Sequence, residues 1–190
     1  ALFAYIFRFE RAWRTEAASR EARRRVLGPE AARITTLEVE APGGTGYRLV
    51  RERETWFLTR PLERWPANPH AVTGLLQGLQ LLEHETSFAV ADLARNQQTP
   101  ADFGLAPPRL TATFTSGEPA PGAPARQTVL RLGDSTPDGR RLYVLSPDGT
   151  RIHVVNRTLA DLLSPPLAQL RDDTLFGVRV FEARSLGLQL

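Results

Sequence analysis

The 190-residue sequence carries 24 basic and 21 acidic side chains and is 42% hydrophobic, which is enough for one domain or two small ones. It has no cysteine, which excludes disulfides, thiolate metal sites and cysteine nucleophiles. It also has no methionine, so we expect the sequence to be part of a longer product.

The net charge of +3 is concentrated near the start of the sequence. Seven arginines face only three glutamates between positions 8 and 25, so all the other residues together carry a small negative charge. A protein that binds nucleic acid needs a concentrated basic face on its folded part. The charge distribution therefore predicts no nucleic-acid partner.

The first seven residues are apolar, with no charge before Arg8. A bilayer-spanning helix takes roughly 20 residues, so this run would supply only the last turns of one. The aromatic and arginine side chains that follow are typical of a membrane interface. We interpret residues 1–31 as a membrane-anchor remnant and an arginine-rich linker helix. An amphipathic helix packed on the domain is the alternative.

Residues 32–108 predict a first β-β-β-α unit. Apolar and polar residues alternate over 34–40, 47–51 and 55–59, as they do in half-buried strands. Asn68 is suited to cap a helix that begins at Pro69, where a proline loses no hydrogen bond. Leucines at helical spacing follow, and they give that helix one apolar face.

The same order returns in residues 109–190. Strands are predicted over 110–115, 128–132, 142–145 and 151–155, and Asn156 is suited to cap a short leucine-bearing helix. Two further strands near the end either complete this sheet or begin a third unit. We therefore predict an α+β fold of tandem β-β-β-α units with mainly antiparallel sheets, each packed on a leucine-rich helix.

Five short segments and the leucine helix after Asn68 resemble the bacterial domain-of-unknown-function family 4340. The segments occur in order and at sensible spacing. They are Trp-Phe-Leu-Thr-Arg-Pro at 56–61, Asp-Phe-Gly-Leu-Ala-Pro-Pro at 102–108, Leu-Gly-Asp-Ser-Thr-Pro-Asp-Gly at 132–139, Tyr-Val at 143–144 and Leu-Arg-Asp-Asp-Thr-Leu-Phe at 170–176. The resemblance implies an N-terminal membrane anchor, no established activity and, for some members, association with ABC transporter components of the gliding-motility or auxiliary type. It brings no catalytic residue.

Membrane topology is indicated in two opposite ways. The arginines after the apolar run favour a cytoplasmic domain by the positive-inside tendency, whereas the resemblance implies the periplasmic side. We expect a single-pass inner-membrane protein whose globular part is periplasmic.

The histidines do not form a catalytic or metal pattern. His70, His84 and His153 lack metal-ligand spacing. We expect His84 to lie near the end of the leucine helix. The residues after it lack the second histidine of a zinc-protease helix. Ser87 is not part of a nucleophile elbow. The sequence therefore predicts no enzyme activity, no cofactor and no metal.

Other polar and glycine-rich stretches are interpreted as turns. The stretch 42–46 leads into a strand, whereas a phosphate-binding loop leads into a helix. Asp134, Asp138 and Asp148 lack the alternate acidic spacing of a calcium loop, so they are read as turn residues. Asn156-Arg157-Thr158 matches a glycosylation acceptor, although a helix cap explains Asn156 equally well.

Two tryptophans flank the loop around Pro61. Trp56 is predicted to pack in the core, whereas Trp65 is the better exposed one and is the candidate contact for a partner or ligand. We therefore expect a non-catalytic, membrane-tethered interaction or scaffold module with a protein partner, accessory to an ABC transporter or cell-envelope assembly. The alternative is an extracytoplasmic binding domain for an extended glycan or peptide. The sequence identifies no small-molecule ligand.

Overall fold

The computed structural model describes residues 24–44, 46–117 and 126–172. Within them the chain forms one nine-stranded antiparallel open sheet with a few short helices. The strands are β1 (Ile34–Glu40), β2 (Gly46–Glu52), β3 (Thr55–Arg60), β4 (Trp65–Pro66), β5 (His84–Ala89), β6 (Leu110–Ser116), β7 (Arg126–Ser135), β8 (Arg141–Leu145) and β9 (Arg151–Asn156). The α-helices are α1 (Pro69–Gln80), α2 (Thr158–Leu163) and α3 (Leu167–Leu170), and 3₁₀ helices cover Pro29–Arg33, Val90–Asn96 and Pro100–Phe103.

The order of strands across the sheet is β4-β3-β2-β1-β6-β7-β8-β9-β5. Strands β1 and β6 lie side by side in the middle, with Leu37 opposite Phe114. Strand β5 follows α1 in the chain but pairs with β9 at the far edge, where Phe88 lies opposite Ile152. The pairing of β1 with β6 joins the two halves of the chain in one sheet, and the pairing of β5 with β9 adds a strand from the first half to its far edge.

One face of the sheet carries the main core. Successive side chains of a strand point to opposite faces, so alternate apolar residues of seven strands meet the helices here. The buried strand residues include Leu37, Leu49, Leu58, Phe114, Leu130, Val144 and Val155, and the helix residues include Val72, Leu75, Leu79, Leu159, Leu163 and Leu170. Removing this continuous apolar surface from water is the main stabilising contribution to the fold.

Helix α1 forms as its sequence predicts. The Asn68 side chain accepts hydrogen bonds from the backbone amides of His70 at 3.0 Å and Ala71 at 3.4 Å, and Pro69 occupies the first helical position. The side chains at the core-facing positions Val72, Leu75 and Leu79 are buried. The predicted cap, start and apolar face of this helix are all confirmed.

The second face of the sheet is covered over β5, β9, β8 and β7 by residues 90–108. Their Leu93 and Leu105 form a second apolar cluster with Ile152. The Phe103 ring meets the Tyr143 ring edge-on at 4.9 Å between centroids and the Phe88 ring at 5.5 Å. No described helix packs on the same face over β3, β2, β1 and β6, and we call that part the uncovered face.

The predicted antiparallel strands are confirmed, but the α+β class is only partly correct. The described residues are mainly β, and all strands join one continuous sheet instead of one sheet for each unit. His84 begins β5 and does not lie at the end of the leucine helix. The reason is that β5 is stabilised by β9, and pairing between distant segments leaves no local pattern. Predicted segments within 1–23 and 173–190 lie outside the described residues.

A buried hydroxyl offers a test of the core. Tyr47 on β2 is 4% exposed, and its hydroxyl has no hydrogen-bond partner among the described residues. Burial raises the pKa of this phenol well above its usual value. We expect Tyr47→Phe to raise the free energy of unfolding by about 1 kcal/mol, because it removes an unsatisfied buried polar group. Urea unfolding of both proteins would measure this, and a clearly destabilised variant would contradict it.

Candidate functional site

Trp65 lies on β4, at one edge of the sheet, and is 39% exposed. Its indole nitrogen donates a hydrogen bond to the backbone carbonyl of Asp172 at 3.1 Å. The guanidinium carbon of Arg171 lies 5.5 Å from the centre of the indole ring. Ala67 and Arg171 also form an antiparallel bridge. The candidate residue therefore holds a later part of its own chain while one side of the ring stays accessible.

The uncovered face is polar and carries both signs of charge. In its centre the Arg60 guanidinium lies 3.0 Å from Glu38 and 2.9 Å from Glu40. Arg48 lies opposite Arg60 on the neighbouring strand, and Thr113 lies opposite Glu38. Since the acidic and basic side chains pair with one another, this surface has fixed ion pairs but no large field of one sign.

An aromatic contact borders the uncovered face. The Arg64 guanidinium carbon lies 4.2 Å from the centre of the Phe57 ring, and its nitrogen Nη2 lies 2.7 Å from the Glu52 carboxylate. The hydrogen bond from Arg64 lowers the pKa of Glu52. Phe57 is consequently shielded by an ion pair at the rim of the sheet.

His84 and His153 stack on each other across β5 and β9. Their ring centroids are 4.8 Å apart and their planes differ by 20°. Ser87 lies opposite His153, but its hydroxyl accepts a hydrogen bond from Nε of Arg151 at 2.8 Å. The arrangement joins the edge strand to the sheet, and it does not orient a serine nucleophile toward a base.

The clefts of the described residues are open and line the surface. One of about 670 Å³ is bordered by Arg33, Arg51, Arg53 and Glu54, with Arg51 and Glu54 paired at 3.1 Å. Another of about 390 Å³ lies between the end of α1 and α2. Within the described ranges, no group of three or more histidine, aspartate or glutamate side chains is arranged to hold a metal ion.

The family model for a domain of unknown function, DUF4340, matches residues 56–188. The chain belongs to the DUF4340 family. This confirms the resemblance seen in the sequence. A search of curated proteins and a search of solved structures found no match.

The DUF4340 match begins within β3, so it includes Trp65, the histidine pair and the segment that covers the second face. Strands β1 and β2, which carry much of the uncovered face, precede it in the chain. No helix in the described ranges is both long and apolar enough to cross a bilayer. The predicted anchor falls within residues 1–23, outside those ranges.

Two of the three aspartates of the DUF4340 domain that were predicted to be turn residues do lie in turns. Asp138 accepts a hydrogen bond from the Arg140 amide at 3.2 Å. Asp148 accepts hydrogen bonds from Ser146 and from the amide and hydroxyl of Thr150, which lower its pKa to about 2. The prediction for Asp134 is wrong, because this residue lies within β7 and forms an ion pair with Arg109.

The histidine pair predicts a dependence of stability on pH. Burial of His153, which is 7% exposed, and the nearby His84 and Arg151 lower its pKa from 6.5 to about 4. Between pH 4 and pH 6.5 the unfolded state therefore binds a proton at His153 that the folded state does not. The free energy of unfolding should therefore fall as the pH drops below 6.5, by up to about 3 kcal/mol at pH 4.

Urea unfolding at pH 7, 6, 5 and 4 would measure this dependence. His153→Gln should remove most of the decrease between pH 6.5 and 4, whereas His70→Gln, at an exposed position, should keep it. An unchanged slope in the His153 variant would show that other groups cause the acid sensitivity.

Proposed function

We propose that this chain is a non-catalytic interaction module tethered to the inner membrane by its N-terminal apolar segment, with the sheet domain in the periplasm. In this role it binds a protein partner and serves as an accessory to an ABC transporter or cell-envelope assembly. The uncovered face carries this proposal, because it is a broad sheet surface that no helix among the described residues covers. The apolar run at residues 1–7 and the family assignment support the tether.

The chemistry of the uncovered face suits a protein partner. Its ion pairs between Arg60 and the two glutamates of β1 fix charges of both signs in place. Apolar side chains at Val50 and Phe57 lie on the same face, opposite each other on β2 and β3. Mixed charge with interspersed apolar contacts is common at non-obligate protein interfaces. The lack of a basic field argues against nucleic acid as the partner.

Site-specific crosslinking in cells that produce the protein tests this proposal. A photoreactive side chain at Thr113, on the uncovered face opposite Glu38, should crosslink to one defined membrane or envelope protein. The same group at Gln77, exposed on α1 on the opposite side, is the matched control and should not. A second variant, Thr113→Arg, should reduce the crosslinked partner's co-purification by about tenfold. Equal crosslinking at both positions, or co-purification that survives Thr113→Arg, would contradict a partner on this face.

We infer that the tandem β-β-β-α units predicted from the sequence are the two halves of the single sheet. Two observations support this. Strands β1 to β4 run outward from the middle on one side, and β6 to β9 run outward on the other. The segment after α1 pairs with β9, and residues 171 and 172 after α3 pair next to β4. Each half thus supplies the segment after its helix to the edge of the other half.

A binding domain for an extended glycan or peptide is the second candidate. Trp65 supports it, since a partly exposed indole at a sheet edge is suited to stack on a sugar or to border an added strand. Trp65→Ala should then abolish binding in a screen of envelope glycans and peptides. Because Trp65 also holds Asp172, Trp65→Phe is needed as a control that keeps the ring without the hydrogen bond. Ligand binding that survives Trp65→Ala would exclude this role of the tryptophan.

A further inference from the structure

A largely apolar groove lies between the end of α1 and α2. Leu81, directly after α1, is 64% exposed, and Leu82, Leu159 and Leu162 line the groove beside it. Gly78 lets the two helices approach closely, since a Cβ there would lie 2.1 Å from a methyl group of Leu162. We call this surface the leucine groove. A leucine this exposed beside other leucines is suited to enter an apolar environment.

The chain enters the described structure at the leucine groove. The amide of Val26 donates a hydrogen bond to the carbonyl of Leu82 at 2.9 Å, and Arg25 forms an antiparallel bridge with Glu83. The apolar run ends at residue 7. The residues between it and Arg24 span at most about 60 Å even when fully extended. A tether that begins in the bilayer would therefore keep this end of the domain near the membrane at high local concentration.

Four arginines lie on segments that adjoin the same groove. Arg24, Arg25, Arg140 and Arg157 are exposed, and Arg157 is joined to Arg140 by a backbone hydrogen bond of 3.1 Å. None of the four forms an ion pair with a carboxylate in the described part of the chain. Glu83 and Asp161 are the exposed acidic residues at the groove and on α2. Arg157 Nη1 donates a hydrogen bond to the Gly139 carbonyl at 3.4 Å, which leaves its charge unneutralised, so the four arginines can bind anionic groups.

We propose that the leucine groove is a second membrane contact, in which Leu81 inserts below the headgroups of an anionic bilayer and the four arginines bind lipid phosphates. The combination of an apolar residue with a basic rim is how peripheral proteins bind anionic membranes. This proposal rests on the proposed tether and adds the orientation of the domain. The end with α2 and the β7–β8 turn faces the lipid, and the uncovered face remains accessible to a protein partner.

The absence of cysteine makes a direct test feasible. Leu81→Cys and, as a matched control on the other side of the sheet, Gln127→Cys are labelled with an environment-sensitive fluorophore in the 190-residue chain. With vesicles of phosphatidylcholine and phosphatidylglycerol, emission at position 81 should rise on the order of threefold, and brominated lipids should quench it. Emission at position 127 should stay nearly constant. Without phosphatidylglycerol, the increase at position 81 should be much smaller.

Sedimentation with the same vesicles separates the two proposals. If the chain sediments but the label at position 81 behaves like that at position 127, the groove contact is overturned and the tether stands. If the chain does not bind vesicles at all, the groove contact is overturned, whereas the tether, of which residues 1–7 would supply only the last turns, fails if the full-length protein does not fractionate with membranes of producing cells. An equal rise in emission at position 81 with vesicles of phosphatidylcholine alone overturns the role of the arginines. If the cysteine at position 81 is protected from a water-soluble thiol reagent in native membranes but not in vesicles, a protein covers the groove and the lipid contact is overturned.

Discussion

Phe114→Ala should lower the free energy of unfolding by about 4 kcal/mol, one of the largest effects expected of a single substitution in this chain. Phe114 lies on central strand β6 and is fully buried in the core between the sheet and the helices. Its removal eliminates apolar contacts with both layers and leaves a cavity that the antiparallel strands on either side cannot close. Urea unfolding followed by circular dichroism would measure the loss.

Phe57→Ala is the matched control for this substitution. Phe57 lies on β3 with its ring toward the uncovered face, where it contacts only part of the sheet and the Arg64 side chain. We expect a loss of about 1 kcal/mol, since the ring is only partly buried and is covered by the Arg64 side chain and not by a packed core. Similar losses for the two phenylalanines would mean that the two faces of the sheet are equally buried, which contradicts the fold described here.

Gly133→Ala should destabilise the protein by about 3 kcal/mol and loosen the segment 90–108. Gly133 lies in β7 beneath this segment, and a Cβ there would lie 2.1 Å from the Phe103 carbonyl oxygen and 3.0 Å from the Leu105 side chain. A backbone oxygen cannot move away without shifting the whole segment off the sheet. In the variant, hydrogen exchange should therefore accelerate more for residues 100–108 than for the strands β1 and β2, each compared with the same residues of the unsubstituted protein.

Gly74→Ala provides the control of opposite sign. Gly74 lies in α1 with no other atom within 4 Å of a Cβ at that position. Alanine has the higher helix propensity, so this variant should be more stable by up to about 1 kcal/mol. If Gly133→Ala were equally harmless in thermal and urea unfolding, the close approach of Phe103 to β7 would be wrong.

The elements that could be predicted are those whose signals are local. The strand Ile34–Glu40 shows regular alternation, and the helix after Asn68 has a cap, a proline at its first position and regularly spaced leucines. Each of these patterns depends on neighbouring residues only. They were sufficient for the boundaries of β1, for the start of α1 and for the turns around Asp138 and Asp148.

The elements that could not be predicted depend on distant partners. Strand β5 reads His-Glu-Thr-Ser-Phe-Ala, and only its pairing with β9 makes it a strand. The two-residue strand β4 forms because Trp65 lies opposite Leu58 of β3. Merging of all strands into one sheet follows from the contact between β1 and β6, which no local pattern specifies.

The candidate site could be predicted only in part. A tryptophan beside a proline suggested exposure, and Trp65 is indeed partly exposed. Its hydrogen bond to Asp172 joins residues 107 positions apart, so nothing near Trp65 in the sequence indicates it. The uncovered face was missed for a similar reason, because a single strand with polar alternate residues does not reveal whether a helix will cover them.

The pairing of β5 with β9 also links folding to the order of synthesis. A ribosome makes β5 well before it makes β9, so β5 must wait without its partner while the middle of the chain emerges. Until then β5 has unpaired backbone groups that other nascent chains can join. We therefore expect slow, late and all-or-none folding, with chaperones most needed just before residue 156 leaves the exit tunnel.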